Sequence, residues 1–208
     1  MTENVSSLSD ESELGLLLEA AGPAHGDALL ALFERTCTAC HCQYWHFKGD
    51  KNAWLERLFH APEQNRSAFV EHLAKPGLKG VVALRAGTAV GWLKLCPAKS
   101  ISKLYDQRLY KGLPCFDAPR EGVLTVGCFL VDDELRRKGV ARALLRRGIE
   151  LAVQSGAHSV EAFPRRSEHA GPAELWTGPA QLFIDLGFKI INDFAPYPVL
   201  RYEIVHAS

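Results

Sequence analysis

The stretch Val126–Leu145, VGCFLVDDELRRKGVARALL, decides how this chain reads. It continues a run, Val123–Val131, that is apolar on both faces, as a strand buried on both sides is. An acidic turn, Asp132-Asp133-Glu134, ends the run, and a basic loop follows, Arg136-Arg137-Lys138-Gly139-Val140-Ala141. An amphipathic helix begins at once. Ala141, Leu144, Leu145, Gly148, Leu151 and Ala152 share one face, while Arg142, Arg146, Arg147, Glu150 and Gln154 fall elsewhere. Ser155-Gly156 suits its C-terminal cap, and a strand is expected from His158 to Phe163. This is a βαβ unit, with parallel strands and a right-handed crossover. A buried strand, a tight loop and a helix start together make an anion site. The first helical N–H groups lack intrahelical partners, and the helix dipole adds positive charge where they point.

Glycine spacing narrows the ligand. Neither G-x-x-x-x-G-K-[ST] nor G-x-G-x-x-G is present. What stands is Arg136-x-x-Gly139-x-Ala141, which resembles the pyrophosphate loop of GNAT-type N-acetyltransferases. A helix-capping turn with solvated arginines would carry the same residues, so its place between a strand and a helix gives the pattern its weight. A second segment, Leu182-Phe183-Ile184-Asp185-Leu186-Gly187-Phe188, resembles that family's L-Y-x-x-x-G-F signature.

The rest of the chain fits around these motifs. A strand is expected at Leu14–Leu18 and helices at Ala24–Cys37, Lys51–Phe59 and Arg66–Ala74. A hairpin is expected over Gly80–Arg85 and Val90–Leu95, turning at Ala86-Gly87. Cys96–Pro119 reads as irregular. A polar insertion, Arg165–Thr177, precedes a short helix at Ala180–Leu186 and strands at Phe188–Asn192 and Val199–Val205. This order resembles the GNAT fold over nearly the whole chain. The class implied is α/β (α+β), with a mixed, mostly antiparallel sheet of about six to seven strands. Helices would flank it and a central strand pair would splay apart. Residues 14–208 would form one domain behind a disordered or loosely packed tail, 1–13.

Composition sets limits. The chain has 208 residues, 47% of them hydrophobic, which is enough for one well-packed domain. A formal net charge of zero gives no field favouring nucleic acid or an anionic membrane. No apolar run is long enough to span a bilayer, and the polar start lacks a signal-peptide core, so a cytoplasmic protein is expected. Its six cysteines should then be reduced. Three cluster as Cys37-Thr-Ala-Cys40-His41-Cys42, with His46 close behind. That is zinc-ligand chemistry, but no second paired motif follows downstream. Two other readings stand beside zinc: cysteines packed as small hydrophobes, or a pocket wall shared with Tyr44, Trp45, His46 and Phe47.

The resemblance implies acetyl-CoA as cosubstrate, no metal, and the amine of a small molecule or peptide as acceptor. The amine would attack the thioester directly through a tetrahedral oxyanion. By resemblance, Phe129 offers a backbone N–H to that oxyanion and Val131 contacts the pantetheine arm. Arg136, Arg137, Lys138, Gly139, Val140 and Ala141 hold the pyrophosphate, through the N–H groups of Arg137, Lys138, Gly139 and Ala141, and Arg142 adds charge. Glu161, in Val160-Glu161-Ala162, resembles a glutamate base of one branch; an ordinary paired strand glutamate would look the same, and Glu121 is a further option. Phe183 stands where the family usually places a tyrosine that protonates the leaving thiolate. The thiolate could leave unaided, or Tyr197, Tyr202, a cysteine or water could serve. Catalysis could instead be lost, leaving an acyl-CoA-binding sensor, and a zinc-stabilised interaction module is a third reading. Homodimers are common in the family.

Overall fold

The computed structural model describes residues 14–166 and 175–205. The tail 1–13 and the centre of the polar insertion, 167–174 with His169 and Glu174, lie outside the described residues. Strands β1 (Leu17–Ala20), β2 (Gly80–Arg85), β3 (Thr88–Pro97), β4 (Val123–Val131), β5 (Ser159–Ala162), β6 (Lys189–Asn192) and β7 (Val199–Glu203) form one sheet. Its order is β1-β2-β3-β4-β5-β7-β6. The β4–β5 pair is parallel, as the βαβ reading expects, and every other pair is antiparallel.

Helices α1 (Gly26–Arg35), α2 (Lys51–His60), α3 (Pro62–Ala74), α4 (Ser102–Tyr105), α5 (Val140–Gln154) and α6 (Ala180–Asp185) complete the fold. Among the described residues no helix is long and apolar enough to cross a membrane. Alternation along β2 and β3 sorts the two faces. Val81, Ala83, Leu93 and Leu95 meet Val140, Leu144 and Leu145 of α5. On the other face, Val82 and Trp92 meet Leu29, Leu32 and Phe33 of α1 and Phe69 and Leu73 of α3. The α5 helix sits close because Gly148 has no side chain: a Cβ there would lie 2.9 Å from Leu93 Cδ2.

Some boundaries differ from the sequence expectation. The first strand begins at Leu17, and α3 begins at Pro62, whose fixed φ suits a first helical turn. The stretch read as irregular, Cys96–Pro119, holds the end of β3, a 3-10 turn at Ala98–Ile101, α4, and another 3-10 turn at Pro114–Phe116. This excursion carries Tyr105 under the sheet, with consequences for the site.

Two irregularities in β4 build that site. Lys94 pairs with Cys128 while Leu95 pairs with Val126, so Gly127 is an extra residue, a β-bulge. A Cβ on Gly127 would lie 2.9 Å from Lys94 Cδ, so the lysine chain runs across the bulge. Pairing of β4 with β5 covers only Val123↔Ser159, Leu124↔Val160 and Thr125↔Glu161. Beyond that point β5 follows β7, through Ala162↔Leu200, and β4 loses its strand partner on that side. This is the splayed pair.

Replacing Gly148 with valine should lower stability by about 1–3 kcal/mol, through overpacking against Leu93. Urea unfolding measures it, with Gln154→Val on the exposed face of the same helix expected to change stability by no more than about 0.5 kcal/mol.

Candidate active site

The loop after β4 has the geometry of an anion cradle. The Asp132 carboxylate accepts the Glu134 N–H at 3.2 Å and starts a tight turn. Arg137 (φ +60°) and Gly139 (φ +94°) both take the left-handed conformation, which at Gly139 costs no Cβ strain. The first helical bond of α5 runs from Ala143 N–H to Gly139 C=O, at 3.0 Å. The N–H groups of Arg137, Gly139, Val140, Ala141 and Arg142 therefore have no acceptor among the described residues. Lys138 departs from the expectation: its N–H closes the turn on Leu135 C=O at 3.4 Å. The basic side chains divide as well. Arg136 pairs with Asp133 at 2.5 Å, and Arg142 with Asp185 of α6 at 2.7 Å. Arg137 and Lys138 are exposed and have no ion-pair partner among the described residues.

The splayed edge of β4 is covered by the chain itself. The Phe129 N–H, expected to face an oxyanion, donates to Trp176 C=O at 2.6 Å. A backbone donor left without a strand must find some acceptor, and Leu175–Gly178 supplies it. The Trp176 ring lies 5.6 Å from Trp45, whose indole N–H donates to Gly127 C=O in the bulge at 3.0 Å. Val131 is half-buried, and its carbonyl accepts from Arg136 Nε at 3.4 Å. Phe183 is fully buried, edge-on to Phe129 at 5.9 Å and to Phe188 at 5.2 Å. The position expected to carry a tyrosine is thus built into the core, and Tyr202 rests on Phe188 one ring further away.

Glu161 does not have the surroundings of a base. It is 0% exposed. Its Oε1 accepts from Arg120 Nη1 at 3.0 Å and from Arg201 Nη2 and Nε at 2.7 and 3.0 Å. Its Oε2 accepts from Tyr105 Oη at 2.8 Å and from Arg120 Nη2. No lone pair is left for an amine proton, and two guanidiniums favour the carboxylate over any protonated product. The Tyr105 hydroxyl also meets Thr125 Oγ1 at 2.5 Å, which ties β4 to the cluster. Burial, followed by the Glu161 charge, pushes the Tyr105 phenol well above its ordinary range, so it stays a donor. Glu121, the other option, pairs with Lys99 at the surface.

The cysteine segment lines the opposite side of the bulge. Cys37 is exposed, Cys40 half-buried and Cys42 buried. The Cys42 thiol accepts the Trp92 indole N–H at 3.2 Å. Among the described residues no group of three or more His, Cys, Asp or Glu is placed to hold a metal ion, so Cys37, Cys40, Cys42 and His46 do not converge as ligands. His46 Nδ1 lies 3.0 Å from Ser100 C=O. A carbonyl only accepts, so Nδ1 carries the proton and Nε2 keeps a lone pair. His46 Nε2, His72 Nε2 and Lys94 Nζ are all buried without a hydrogen-bond partner among the described residues. The two imidazoles lie 4.4 Å apart. Burial, followed by the Lys94 charge, lowers His46 to about 4 and His72 to about 3. Sequence reading missed Lys94, His72, Tyr105, Arg120 and Arg201. One signal for Lys94 was visible: a lone lysine inside the apolar run Val90–Cys96.

Comparison with known proteins agrees with this fold. The acetyltransferase (GNAT) family model matches residues 42–171, and the chain belongs to that family. Among solved structures, the PaiA N-acetyltransferase of Thermoplasma acidophilum, in complex with coenzyme A, superposes with a TM-score of 0.53 at 9% identity, covering 91% of this chain and 99% of that one. A GCN5-related N-acetyltransferase from Kribbella flavida gives a TM-score of 0.54 at 21% identity, over 92% of this chain and 99% of that one. A third acetyltransferase gives 0.58 at 18% identity, over 91% and 100%. No functionally curated protein matches the sequence.

Substituting Glu161 with glutamine should cost about 3–5 kcal/mol of stability, because two arginines lose their buried counter-charge. Urea unfolding reads that loss; full stability with lost turnover would instead mark a base. The buried imidazoles give a second prediction. Their folded pKa values lie below the ordinary histidine value of 6.5, so their contribution is intact above pH 6.5. As pH falls from there toward about 4 and about 3, the unfolded chain takes up protons that the folded one refuses, and stability drops. Between pH 7 and 4.5, His72→Gln should lose less stability than the parent protein.

Proposed function

We propose that this chain is an acetyl-CoA-dependent N-acetyltransferase acting on the primary amine of a small molecule or peptide. The observation that carries the reading is the cradle at the start of α5. Five backbone N–H groups without acceptors among the described residues surround a left-handed glycine, at the positive end of a 15-residue helix. A diphosphate fits this donor set. Arg137, Gly139, Val140, Ala141 and Arg142 would hold it by main-chain N–H groups, with the Arg137 and Lys138 side chains free to reach it. Arg136 and Arg142 would have to share their charge with Asp133 and Asp185.

Bound acetyl-CoA supplies a thioester-activated acetyl group and a thiol leaving group. The chain's own contribution begins with the Phe129 N–H, the first β4 donor after the bulge that has no strand partner. Serving a developing oxyanion requires it to exchange Trp176 C=O for that oxygen. A half-buried, neutral His46, whose Nε2 lone pair has no hydrogen-bond partner among the described residues, can take the amine's proton, directly or through one water. Phe183 contributes packing and no proton, and CoA leaves as a thiolate, which is a tolerable leaving group with an alkyl thiol pKa of about 8.5.

The occupied Phe129 N–H favours a second reading, an acyl-CoA-binding protein without turnover. Titration calorimetry and thiol release over a broad amine panel separate the two. Gly139→Glu should weaken acetyl-CoA binding by at least about tenfold, because it strains the left-handed turn and sets an anion against the diphosphate. Unchanged affinity would sink both readings. His46→Ala should lower kcat by about 10² or more at unchanged acetyl-CoA affinity. Tight binding with no thiol release from any amine would leave the sensor reading.

A further inference from the structure

A fully buried lysine without a carboxylate partner is costly to hold as an ammonium, and Lys94 is such a lysine among the described residues. The residue is 0% exposed, and Nζ has no hydrogen-bond partner among the described residues. No carboxylate among the described residues lies within ion-pair distance of it. Its neighbours deepen the cost. After burial, the Lys94 charge acts most strongly on both flanking imidazoles, His46 on the loop after α1 and His72 on α3, and Lys75 and Lys79 act in the same direction. No carboxylate answers this charge among the described residues; the one acidic group drawn below its ordinary value beside it is the Cys42 thiol, which burial raises and which the Cys128 thiol, Lys94 and the Trp92 indole together bring down.

Placement gives this charge a use. Lys94 alternates with Leu93 and Leu95, which face α5, so it lies on the opposite face with Trp92. Its chain crosses Gly127, where a Cβ would lie only 2.9 Å from Lys94 Cδ. Trp45 stands beside the same glycine and holds its carbonyl. Phe129 is two residues further along β4, about 6–7 Å at strand rise. The lysine chain therefore passes the bulge two residues before Phe129, on the face where its charge acts on His46 and His72.

We propose that Lys94 is the anion anchor of the acceptor site, binding the carboxylate of an amine that carries both groups a few bonds apart, as free amino acids do. The proposal rests on the transferase reading and deepens it. The amine lies by His46 Nε2 and the Phe129 edge, while its carboxylate replaces the missing counter-ion at Lys94 Nζ. A bare alkylamine gains nothing at that position. A carboxamide offers a weaker acceptor and leaves the charge uncompensated.

The test pairs each of a set of free L-amino acids with its own carboxamide, as acceptors for acetyl-CoA followed by thiol release. The acids should be favoured by about tenfold or more in kcat/KM, the scale of a charge-assisted hydrogen bond. Lys94→Met keeps the chain's length and removes the charge. It should bring acid and amide to within about threefold, with acetyl-CoA affinity by calorimetry unchanged. This variant is expected to fold, and to melt no lower than the parent, because it relieves a buried charge. Thermal melts with CoA and N-acetylglycine provide a readout independent of turnover. The parent should be stabilised by N-acetylglycine, and Lys94→Met should not. Equal use of acids and amides, or the same preference in Lys94→Met, overturns the anchor while leaving the transferase intact. Failure to bind CoA or acetylate any amine defeats the transferase reading, and melts with N-acetylglycine alone then decide the anchor. A loss of stability in Lys94→Met, matched by Cys42→Ser, would make the Cys42 thiolate the internal counter-ion and also overturn it.

Discussion

The parting of β4 and β5 after Thr125 and Glu161 governs what the rest of the molecule can do. Parallel strands that stayed paired would satisfy each other's amides and leave no slot. At the parting point sits a buried carboxylate held by two guanidiniums and a phenol, drawn from α4, from the segment before β4 and from β7. Such a cluster gains little net stability over apolar packing, but it defines geometry sharply because each partner is costly to lose. Tyr105 bridges Glu161 and Thr125, the last paired residues on the two strands. The cluster thereby fixes where pairing ends, and the bulge at Gly127 then turns the free edge of β4.

This explains how far the sequence could be read. The loop and α5 were legible because everything they need is local: an apolar strand, a basic Gly turn and a helical stripe. The mixed sheet followed from the order of elements. The role of Glu161 was not legible. Its neighbours Val160 and Ala162 are equally compatible with a base and with an anchor. What distinguishes the two is Tyr105, Arg120 and Arg201, between 40 and 56 residues away in the chain. Lys138 was misjudged for a smaller reason of the same kind. A loop amide's availability depends on which carbonyl the turn brings back, and here Leu135 returns to it. The cysteine cluster looked like a ligand set because spacing does not show direction; Cys42 points to Trp92 and His46 to Ser100.

Phe183 and Trp176 bear on the same question from opposite ends of the slot. Phe183 extends the apolar wall of Phe129 and Phe188 and removes the hydroxyl that the family resemblance led one to expect. Trp176 lends its carbonyl to the donor that chemistry would need. The first is a permanent feature of the core. The second is a single hydrogen bond, with a net worth of about 1 kcal/mol, made by a half-open segment whose tryptophan ring is 39% exposed. A ligand bound through a diphosphate cradle can displace a bond of that size, whereas no ligand can restore a missing phenol. The structure is therefore compatible with turnover that needs no dedicated acid.

Buried polar groups without partners are the places where a fold has given up stability. Among the described residues such atoms occur at several places, and three of them come together at the bulge. Lys94, His46 and His72 lie together on one side of the bulge, while Glu161, with a full complement of donors, lies on the other flank of β4. A fold that satisfies one buried charge with five hydrogen bonds is able to satisfy another. Leaving Lys94 unanswered beside the free edge of β4 is then best understood as a requirement placed on whatever molecule fills that space: it must bring the negative charge with it.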